Sequence, residues 1–249
     1  NRNQIIFRRS HMSDKPKLDR QAMCDRLAME FQDGWIVNLG VGMPTLCSNY
    51  KDDSRELIYH SENGVIGYGP IAEEGHEDKH LVNAGGQNVI AIPGMAIVHH
   101  ADSFMLIRGG MIDVTVMGAY EVAQNGDFAN WRIPTRKGGG IGGAMDLAAC
   151  AQRVYIAMEH TTRDGKPRLL KQCALPVTAP GVVKLVSTDL GLFEIGTDGF
   201  ILKEHAPGWS VEEIQELTEA KITADPNLCE VKTRDNQSSN QGSGRHYVV

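Results

Sequence analysis

The chain has 249 residues, of which 41% are hydrophobic and 22% are charged, and its formal net charge is −6. This length suits one large domain, and the acidic balance lacks the clustered basic face that nucleic-acid binding requires. The five cysteines are scattered without a C-x-x-C pair, which argues against a zinc or dithiol site and predicts a reducing, cytoplasmic location. No apolar run reaches about 18 residues, so we expect no membrane span.

Three parts of the chain differ in composition. Residues 1–11 look like a vector remnant, with Met12 as the natural start. Residues 12–231 have the alternating apolar and polar segments of one folded domain. Residues 232–249 are rich in Asn, Gln, Ser and Gly, and because they have too little apolar content to pack, we expect a disordered tail.

The first two thirds of the domain predict helices that alternate with strands. Apolar residues at helical spacing predict an opening helix over 18–32. Short runs rich in Val and Ile, bounded by Gly, Pro or Asn, predict strands at 35–39, 56–60, 88–92, 111–117 and 153–158. Further helices are predicted at 44–50, 101–108 and 144–152. This order is typical of an α/β fold with a single open, largely parallel sheet and helices on both faces.

The C-terminal part predicts antiparallel structure. Strands are predicted at 182–187, 192–195 and 200–204, and a turn at Thr197-Asp198-Gly199 closes the hairpin between the last two. Ser210 and Glu213 form an S-x-x-E capping box, which predicts a helix over 211–220.

The segment His60-Ser61-Glu62-Asn63-Gly64 follows directly on the strand predicted at 56–60. Ligands of parallel α/β sheets bind outside the carboxyl ends of the strands, so a carboxylate held there by an Asn-Gly turn faces the usual place of chemistry. A glutamate in a turn is nevertheless most often a solvated surface charge. The position therefore makes Glu62 a candidate whose weight depends on the surrounding sequence.

A glycine run, KGGGIGG, leads into the helix predicted at 144–152. Its flexible backbone and the free N–H groups at the start of the helix favour the binding of an anion. The alternative is a structural loop that binds no ligand. Gly138, Gly140 and Gly143 also match G-x-G-x-x-G, with Glu159 about 20 residues on, which raises a dinucleotide-binding oxidoreductase as a second reading. That reading fails at the start of the motif, because residues 131–137 hold a proline and three basic residues instead of a hydrophobic strand.

Three other segments are weaker candidates. The glycine turn at 39–44 is compatible with a plain tight connection. Histidine and acidic residues at 73–80 are contiguous and polar, so a solvated loop is favoured over a metal site. His100, Asp102 and Ser103 have the residue types of a hydrolase triad, but they are sequence neighbours and no G-x-S-x-G elbow is present.

Taken together, several segments resemble the beta subunit of the class I 3-oxoacid CoA-transferases. In chain order they are NLGVGMP at 38–44, SENGVIGYGP at 61–70, NAGG at 83–86, HADSFMLIRGG at 100–110, GDFANW at 126–131 and GGAMDL at 142–147. The resemblance covers about residues 18–230, and the SENG turn is its most specific part. This family includes succinyl-CoA:3-ketoacid and 3-oxoadipate CoA-transferases and shares its fold with ribose-phosphate isomerases.

The resemblance implies reversible CoA transfer from an acyl-CoA, in the first place succinyl-CoA, to a 3-oxo acid such as acetoacetate or 3-oxoadipate. It makes Glu62 the nucleophile, which carries the acyl group as a mixed anhydride and then CoA as a glutamyl thioester. A carboxylate is needed because only an anhydride conserves the energy of the thioester. Both intermediates hydrolyse, so water must be excluded from the site.

The resemblance also implies which residues bind CoA and substrate, namely Asn38, Ser61, Asn63, Gly64, Gly85, Gly86, Gly142 and Gly143. It implies no metal and no permanently bound cofactor, since CoA is itself a substrate. An alpha-type CoA-transferase subunit is implied as partner, in a heterodimer or heterotetramer. Gly86 departs from the family, in which many relatives carry a lysine there, and Lys137 is a candidate to replace that cationic contact.

Two alternatives to the transferase remain at this point. One keeps the fold and makes the chain a sugar-phosphate isomerase or a non-catalytic ligand sensor, and the other is the dinucleotide-binding oxidoreductase. The SENG turn argues against both, because neither has a reason to hold a nucleophilic glutamate at that position.

Overall fold

The computed structural model describes residues 15–135 and 137–232, which contain thirteen strands, four α-helices and one 3-10 helix. The strands are β1 Ile36–Leu39, β2 Ile58–Ser61, β3 Val65–Ile66, β4 Ala96–Ile97, β5 Val114–Met117, β6 Glu121–Ala123, β7 Phe128–Ala129, β8 Val154–Ala157, β9 Leu169–Leu170, β10 Val183–Thr188, β11 Gly191–Gly196, β12 Gly199–His205 and β13 Ile222–Glu230. The helices are α1 Arg20–Ala28, the 3-10 helix Met43–Asn49, α2 His100–Arg108, α3 Ala144–Cys150 and α4 Val211–Glu216.

Ten of the strands form one open sheet in the order β13-β12-β11-β10-β8-β5-β1-β2-β3-β4, and β7-β6-β9 form a second, small sheet. The five strands from β10 to β2 are parallel to their neighbours. Antiparallel pairs extend this centre on both sides, at β10-β11-β12 and at β2-β3-β4. The carboxyl ends of the parallel strands therefore lie at one edge of the sheet, where ligands bind in such folds.

Helices cover both faces of the sheet. On one face Leu27 of α1 packs in a cluster with Val116 of β5. On the other, Ile107 of α2 and Leu147 of α3 pack with Ile156 of β8. Each such side chain contributes about 1.5–3 kcal/mol when it is fully buried. The predicted α/β fold, with a largely parallel sheet and an antiparallel C-terminal part, is confirmed.

The C-terminal hairpin is present, and its turn consists of Thr197-Asp198, because Gly199 of the predicted turn already pairs with Gly196. Strand β13 was not predicted from the sequence, and it pairs in parallel with β12 at the edge of the sheet. This strand contains Asp225 and Pro226, which are unfavourable in strand interiors. An edge strand tolerates proline because one side of its backbone has no ladder partner.

The capping box that was predicted before α4 is present. Ser210 Oγ accepts from the Glu213 amide, and Glu213 Oε2 accepts from the Ser210 amide at 2.9 Å. The helix ends at Glu216, earlier than the predicted residue 220. The side chain of Gln215 donates to the carbonyls of Thr218 and Ala220, so it satisfies backbone groups beyond the helix end and stabilises the turn into β13.

One predicted strand was wrong, and two predicted helices differ in type or length. Residues 88–92 form no strand, because their partners are divided between two segments: Asn88 bridges to Val82 and Val89 bridges to Ile71. The helix predicted at 44–50 is present as the 3-10 helix Met43–Asn49, with Pro44 in its first turn. The opening helix is also shorter than predicted, since it ends at Ala28.

The N-terminal remnant predicted at 1–11 and nearly all of the tail predicted at 232–249 lie outside the described residues. The boundaries of the domain therefore stay predictions. Within 15–135 and 137–232, no helix combines the length and the apolar character that crossing a membrane would need.

Candidate active site

A cavity of about 530 Å³ opens at the carboxyl ends of β1, β2, β5 and β8. Glu62 lines it from the end of β2, and Asn38 lines it from β1. The glycine loop at 140–143 and Ala84 form further walls, and Glu159 and Arg168 stand beyond the end of β8. The sheet thus brings residues together that are far apart in sequence.

Glu62 sits in a tight turn between β2 and β3. The Gly64 amide donates to the Ser61 carbonyl at 2.9 Å, and Gly64 has a φ of 109°. A side chain at Gly64 would also collide with the Val98 carbonyl. Only glycine combines this backbone conformation with such a close approach, so the turn that presents Glu62 depends on it.

The glycine loop contacts Glu62 directly. The backbone of Gly143 packs directly against the Glu62 carboxylate, so that a Cβ on Gly143 would collide with Glu62 Oε2. Gly143 stands at the start of α3 and its φ of −82° is open to any residue. The space that Glu62 occupies, and not the backbone conformation, therefore requires glycine at this position.

The pKa of Glu62 is raised above the ordinary glutamate value, mainly because the carboxyl is partly buried. His100 and the hydrogen bond from Gly143 oppose this rise, and Asp146 adds to it. The carboxyl is thus a better base and nucleophile than a fully solvated glutamate.

Behind the turn, His60 lies in a buried hydrogen-bond chain that the sequence analysis did not identify. Asn38 Nδ2 lies 3.0 Å from His60 Nδ1, and His60 Nε2 lies 3.0 Å from Ser103 Oγ. Thr115 Oγ1 donates to Asn38 Oδ1 at 2.9 Å. Since Asn38 Nδ2 can only donate, Nδ1 of the neutral imidazole accepts and Nε2 carries the proton.

This series of hydrogen bonds ends at the backbone carbonyl of the residue before Glu62. Ser103 Oγ accepts a hydrogen bond from the N–H at His60 Nε2 and donates to the Ser61 carbonyl at 3.4 Å. Burial lowers the pKa of His60 to about 4, so the imidazole is neutral at neutral pH. This series of hydrogen bonds therefore holds Ser61, the residue that precedes Glu62, in place.

The contact between Ser103 and a histidine does not make a hydrolase triad. Ser103 is fully buried, and the histidine is His60 from β2, not the sequence neighbour His100. A general base needs a free Nε2 lone pair, whereas Nε2 of His60 carries the proton here. Serine hydrolysis is thus excluded at this position.

The remaining predicted site residues surround the turn and mostly shape its backbone. Ser61 Oγ accepts from the Ala84 amide at 2.7 Å, and Asn63 Nδ2 donates to the Val82 carbonyl at 2.8 Å. The Gly85 and Gly86 amides both bond to Asn83. Gly142 has a φ of 50° and lines the cavity, whereas the following predicted residues are not part of its lining: Ser61, Asn63, Gly64, Gly85 and Gly86.

The dinucleotide-binding interpretation fails in the structure. The nearest preceding strand, β7, ends at Ala129, so no strand enters the glycine run directly. Glu159, which would have to bind a ribose, is ion-paired with Arg20 at 2.6 Å and with Arg168 at 3.4 Å. A Rossmann turn requires a strand, the glycine turn and a helix in immediate succession.

No group of three or more possible metal ligands occurs among residues 15–135 and 137–232. The histidine and acidic residues at 73–80 are exposed, as expected of a solvated loop. Lys137, the candidate cation near the glycine loop, is exposed and does not line the cavity.

One pattern in the sequence could have identified the buried series of hydrogen bonds around His60. Asn38, His60 and Thr115 are polar residues within otherwise apolar strands, and the register pairs Asn38 with His60 on one side and with Thr115 on the other. Polar groups buried in a parallel sheet must bond to one another. Arg168 had no comparable signal, because it lies outside every predicted element.

Comparisons with known proteins agree on one family. The family model described as Coenzyme A transferase matches residues 20–217. The chain is 43% identical over 203 residues to the B-type subunit of the succinyl-CoA:3-ketoacid coenzyme A transferase of Helicobacter pylori, covering 82% of this chain and 98% of that protein. It is 41% identical over 213 residues to the B-type subunit of the 3-oxoadipate CoA-transferase of Pseudomonas putida, covering 83% and 97%.

A solved structure shares the fold at lower identity. The glutaconate coenzyme A-transferase of Acidaminococcus fermentans superposes with a TM-score of 0.65 at 18% identity, covering 90% of this chain and 92% of that one. Two findings assign the chain to a family: the family model matches most of the chain, and the relatives are more than 40% identical over about four fifths of it. This chain belongs to the coenzyme A transferase family of enzymes.

Proposed function

We propose that this chain is the nucleophile-bearing subunit of a 3-oxoacid CoA-transferase, which moves CoA from succinyl-CoA or a similar acyl-CoA to a 3-oxo acid such as acetoacetate or 3-oxoadipate. The names of the relatives from Helicobacter pylori and Pseudomonas putida support this substrate class. The observation that carries the proposal is the half-buried Glu62 carboxylate, which lines the cavity and lies against the backbone of Gly143. An isomerase could also use a carboxylate as a base, so the names of the relatives, and not this carboxylate alone, favour the transferase.

The proposed reaction begins when the Glu62 carboxylate attacks the carbonyl carbon of the acyl-CoA thioester. The C–S bond breaks, CoA leaves as a thiolate, and a mixed anhydride of Glu62 and the acyl group forms. The thiolate then attacks the Glu62 carbonyl of the anhydride, which releases the first acid as a carboxylate and leaves a glutamyl-CoA thioester. The acceptor carboxylate repeats the two steps in reverse and regenerates Glu62.

Each attack on the Glu62 carbonyl places negative charge on one of its oxygens. The backbone of Gly143 lies against that carboxylate, so its N–H is the proposed donor for the developing oxyanion. Asn38, Gly142 and Gly143 are proposed to line the path of CoA, since they share the cavity with Glu62. The contacts of Ser61, Asn63, Gly64, Gly85 and Gly86 support a role in holding the turn and the adjacent loop in place.

The proposal includes an alpha-type partner subunit and no permanently bound cofactor. The two relatives are named as B-type subunits, which supports a second type of chain in the working enzyme. A partner that closes the cavity would protect the anhydride and the thioester from water.

Trapping the covalent intermediate tests the proposal. The active enzyme is incubated with acyl-CoA in the absence of an acceptor, and the thioester is then reduced with borohydride or converted with hydroxylamine. Peptide mapping should locate the alcohol or the hydroxamate at Glu62, and Glu62→Gln should remain unmodified. Modification of another carboxylate would refute the assignment of the nucleophile.

A further inference from the structure

The cavity around Glu62 poses an electrostatic problem for its substrates. CoA thioesters and carboxylic acids are anionic, and two carboxylates, Glu62 and Glu159, line the cavity. Among the described residues of that lining, Arg168 is the one with a cationic side chain. An anion that enters a partly desolvated site beside two carboxylates requires a compensating positive charge.

Arg168 retains hydrogen-bonding capacity. Its Nη1 lies 3.4 Å from Glu159 Oε2, which is a long contact. Its Nε is buried and has no hydrogen-bond partner in the part of the chain that the structure describes. A buried charged donor without a partner is costly, so such groups are typical of functional sites.

Arg20 already balances the charge of Glu159. Its Nη2 and Nε donate to Glu159 Oε1 at 2.6 and 3.1 Å. Two arginines therefore share one carboxylate, and the group of three carries one net positive charge. Arg20 is exposed and lies outside the cavity lining, whereas Arg168 is largely buried.

The backbone holds Arg168 firmly in this position. Its amide donates to the His160 carbonyl at 3.1 Å, and its carbonyl accepts from the Val122 amide at 2.9 Å. The planar guanidinium is itself preorganised, so it loses less entropy for each hydrogen bond that it forms with an anion. Since β2 and β8 are separated by β1 and β5, the strand ends that carry Glu62 and Glu159 lie roughly 14 Å apart, which leaves room for a substrate between them.

From these observations we propose that Arg168 is a specificity-determining residue that binds an anionic oxygen of the substrate within the Glu62 cavity. This inference rests on the proposed function for the identity of the substrate. The anionic oxygen has two possible sources, which are the free carboxylate of a dicarboxylic acyl group such as succinyl and a phosphate of CoA. Both accept the same hydrogen bonds from a guanidinium.

A binding experiment separates these sources without requiring turnover. In the Glu62→Gln background, which should not consume the thioester, the dissociation constants of succinyl-CoA and butyryl-CoA are measured by calorimetry with and without Arg168→Gln. Butyryl-CoA has the same chain length and no free carboxylate. Arg20→Gln is the matched control, because it removes the other partner of Glu159 without changing the cavity lining.

We expect Arg168→Gln to weaken succinyl-CoA binding about tenfold or more, the loss typical of one charged hydrogen bond, and Arg20→Gln to change it less than about twofold. A loss confined to succinyl-CoA identifies the acyl carboxylate, and an equal loss for both thioesters identifies a CoA phosphate. Unchanged affinities in a folded Arg168→Gln protein, or an equal loss in the Arg20→Gln control, would overturn the proposal. Transfer activity of the parent enzyme with Glu62 intact reports separately on the proposed function.

Discussion

Asn38 Nδ2 lies 3.0 Å from Nδ1 of His60, and this contact fixes the tautomer of a histidine that lies directly before the SENG turn. Asn38 cannot be flipped, because Nδ2 also faces the His60 carbonyl at 3.3 Å and Oδ1 accepts from Thr115. The buried chain therefore has one consistent direction of donation. It links three neighbouring strands to the backbone of the residue before the nucleophile.

We expect this histidine to make stability depend on pH. Its pKa of about 4 in the folded protein lies below the ordinary value of 6.5, so the unfolded chain binds more protons between these two values. The free energy of unfolding should therefore fall by about 2.5 kcal/mol from pH 7.5 to pH 4.5 on account of His60. His60→Gln, measured by urea unfolding at both pH values, should show a correspondingly smaller fall. An identical fall in both proteins would contradict the burial of a neutral His60.

Substitution of the nucleophile separates fold from chemistry. Glu62→Gln should fold normally and lose CoA transfer, because an amide cannot form the anhydride. Glu62→Asp should also lose most activity, since it withdraws the carboxylate by about 1.5 Å from its reactive position. Thermal unfolding and transfer assays test both variants, with mass spectrometry to exclude deamidation of the glutamine. Near wild-type transfer by Glu62→Gln would remove Glu62 from the mechanism.

Gly143→Ala tests the contact between the glycine loop and the nucleophile. The backbone at this position accepts alanine, but the new methyl group would displace the Glu62 carboxylate, so we expect kcat to fall about a hundredfold with little loss of stability. Gly140→Ala is the matched control in the same loop, because a Cβ there meets no atom within 4 Å. Equal activities of the two variants would show that the contact has no role in the reaction.

The acid limb of the pH profile should report the raised pKa of Glu62. The carboxylate must be ionised to attack, so kcat/KM should fall at acid pH. The apparent pKa of this fall should be higher than the pKa of an ordinary glutamate. Asp146→Asn removes a negative charge that contributes to this rise and should move the limb to lower pH. Arg108→Gln, which removes the partner that lies 2.8 Å from Asp146, should move it to higher pH. Shifts in the same direction would rule out this electrostatic origin.

The chain alone should be folded and inactive. Because the anhydride and the thioester are sensitive to water, we expect transfer to appear only when the alpha-type partner is added. The assay compares the purified chain before and after the addition of the partner, with circular dichroism as the control for folding. Full turnover by the chain alone would instead indicate a self-sufficient homo-oligomer.

The sequence was sufficient for the positions of the central strands along the chain and for the position of Glu62, because both depend on local patterns. Val-rich and Ile-rich runs predicted β1, β2, β5 and β8, and the Asn-Gly turn placed Glu62 at a strand end. Long-range pairing was harder to predict. The strand at 88–92 looked regular, yet its partners lie in two separate segments, and β13 contains a proline that only an edge position tolerates.

Parts of the site depend on packing between distant residues and therefore gave no local signal. The G-x-G-x-x-G match suggested a nucleotide, whereas Gly143 makes room for Glu62. Arg168 lies outside the predicted elements, and only the folded chain brings it to the cavity of Glu62. Close approach of two side chains across the sheet cannot be read from the spacing of residues in the sequence.

The close approach of Gly143 to Glu62 has a consequence for the order in which the protein acquires its activity. It joins residues about 80 positions apart, and β3, β4, α2, β5, β6 and β7 all lie between them. Contacts of such high sequence separation are made late, after the loop between them has been closed by other structure. During refolding, secondary structure should therefore return before the site can react with a thioester, and a partly folded chain would carry Glu62 without the glycine loop packed against it.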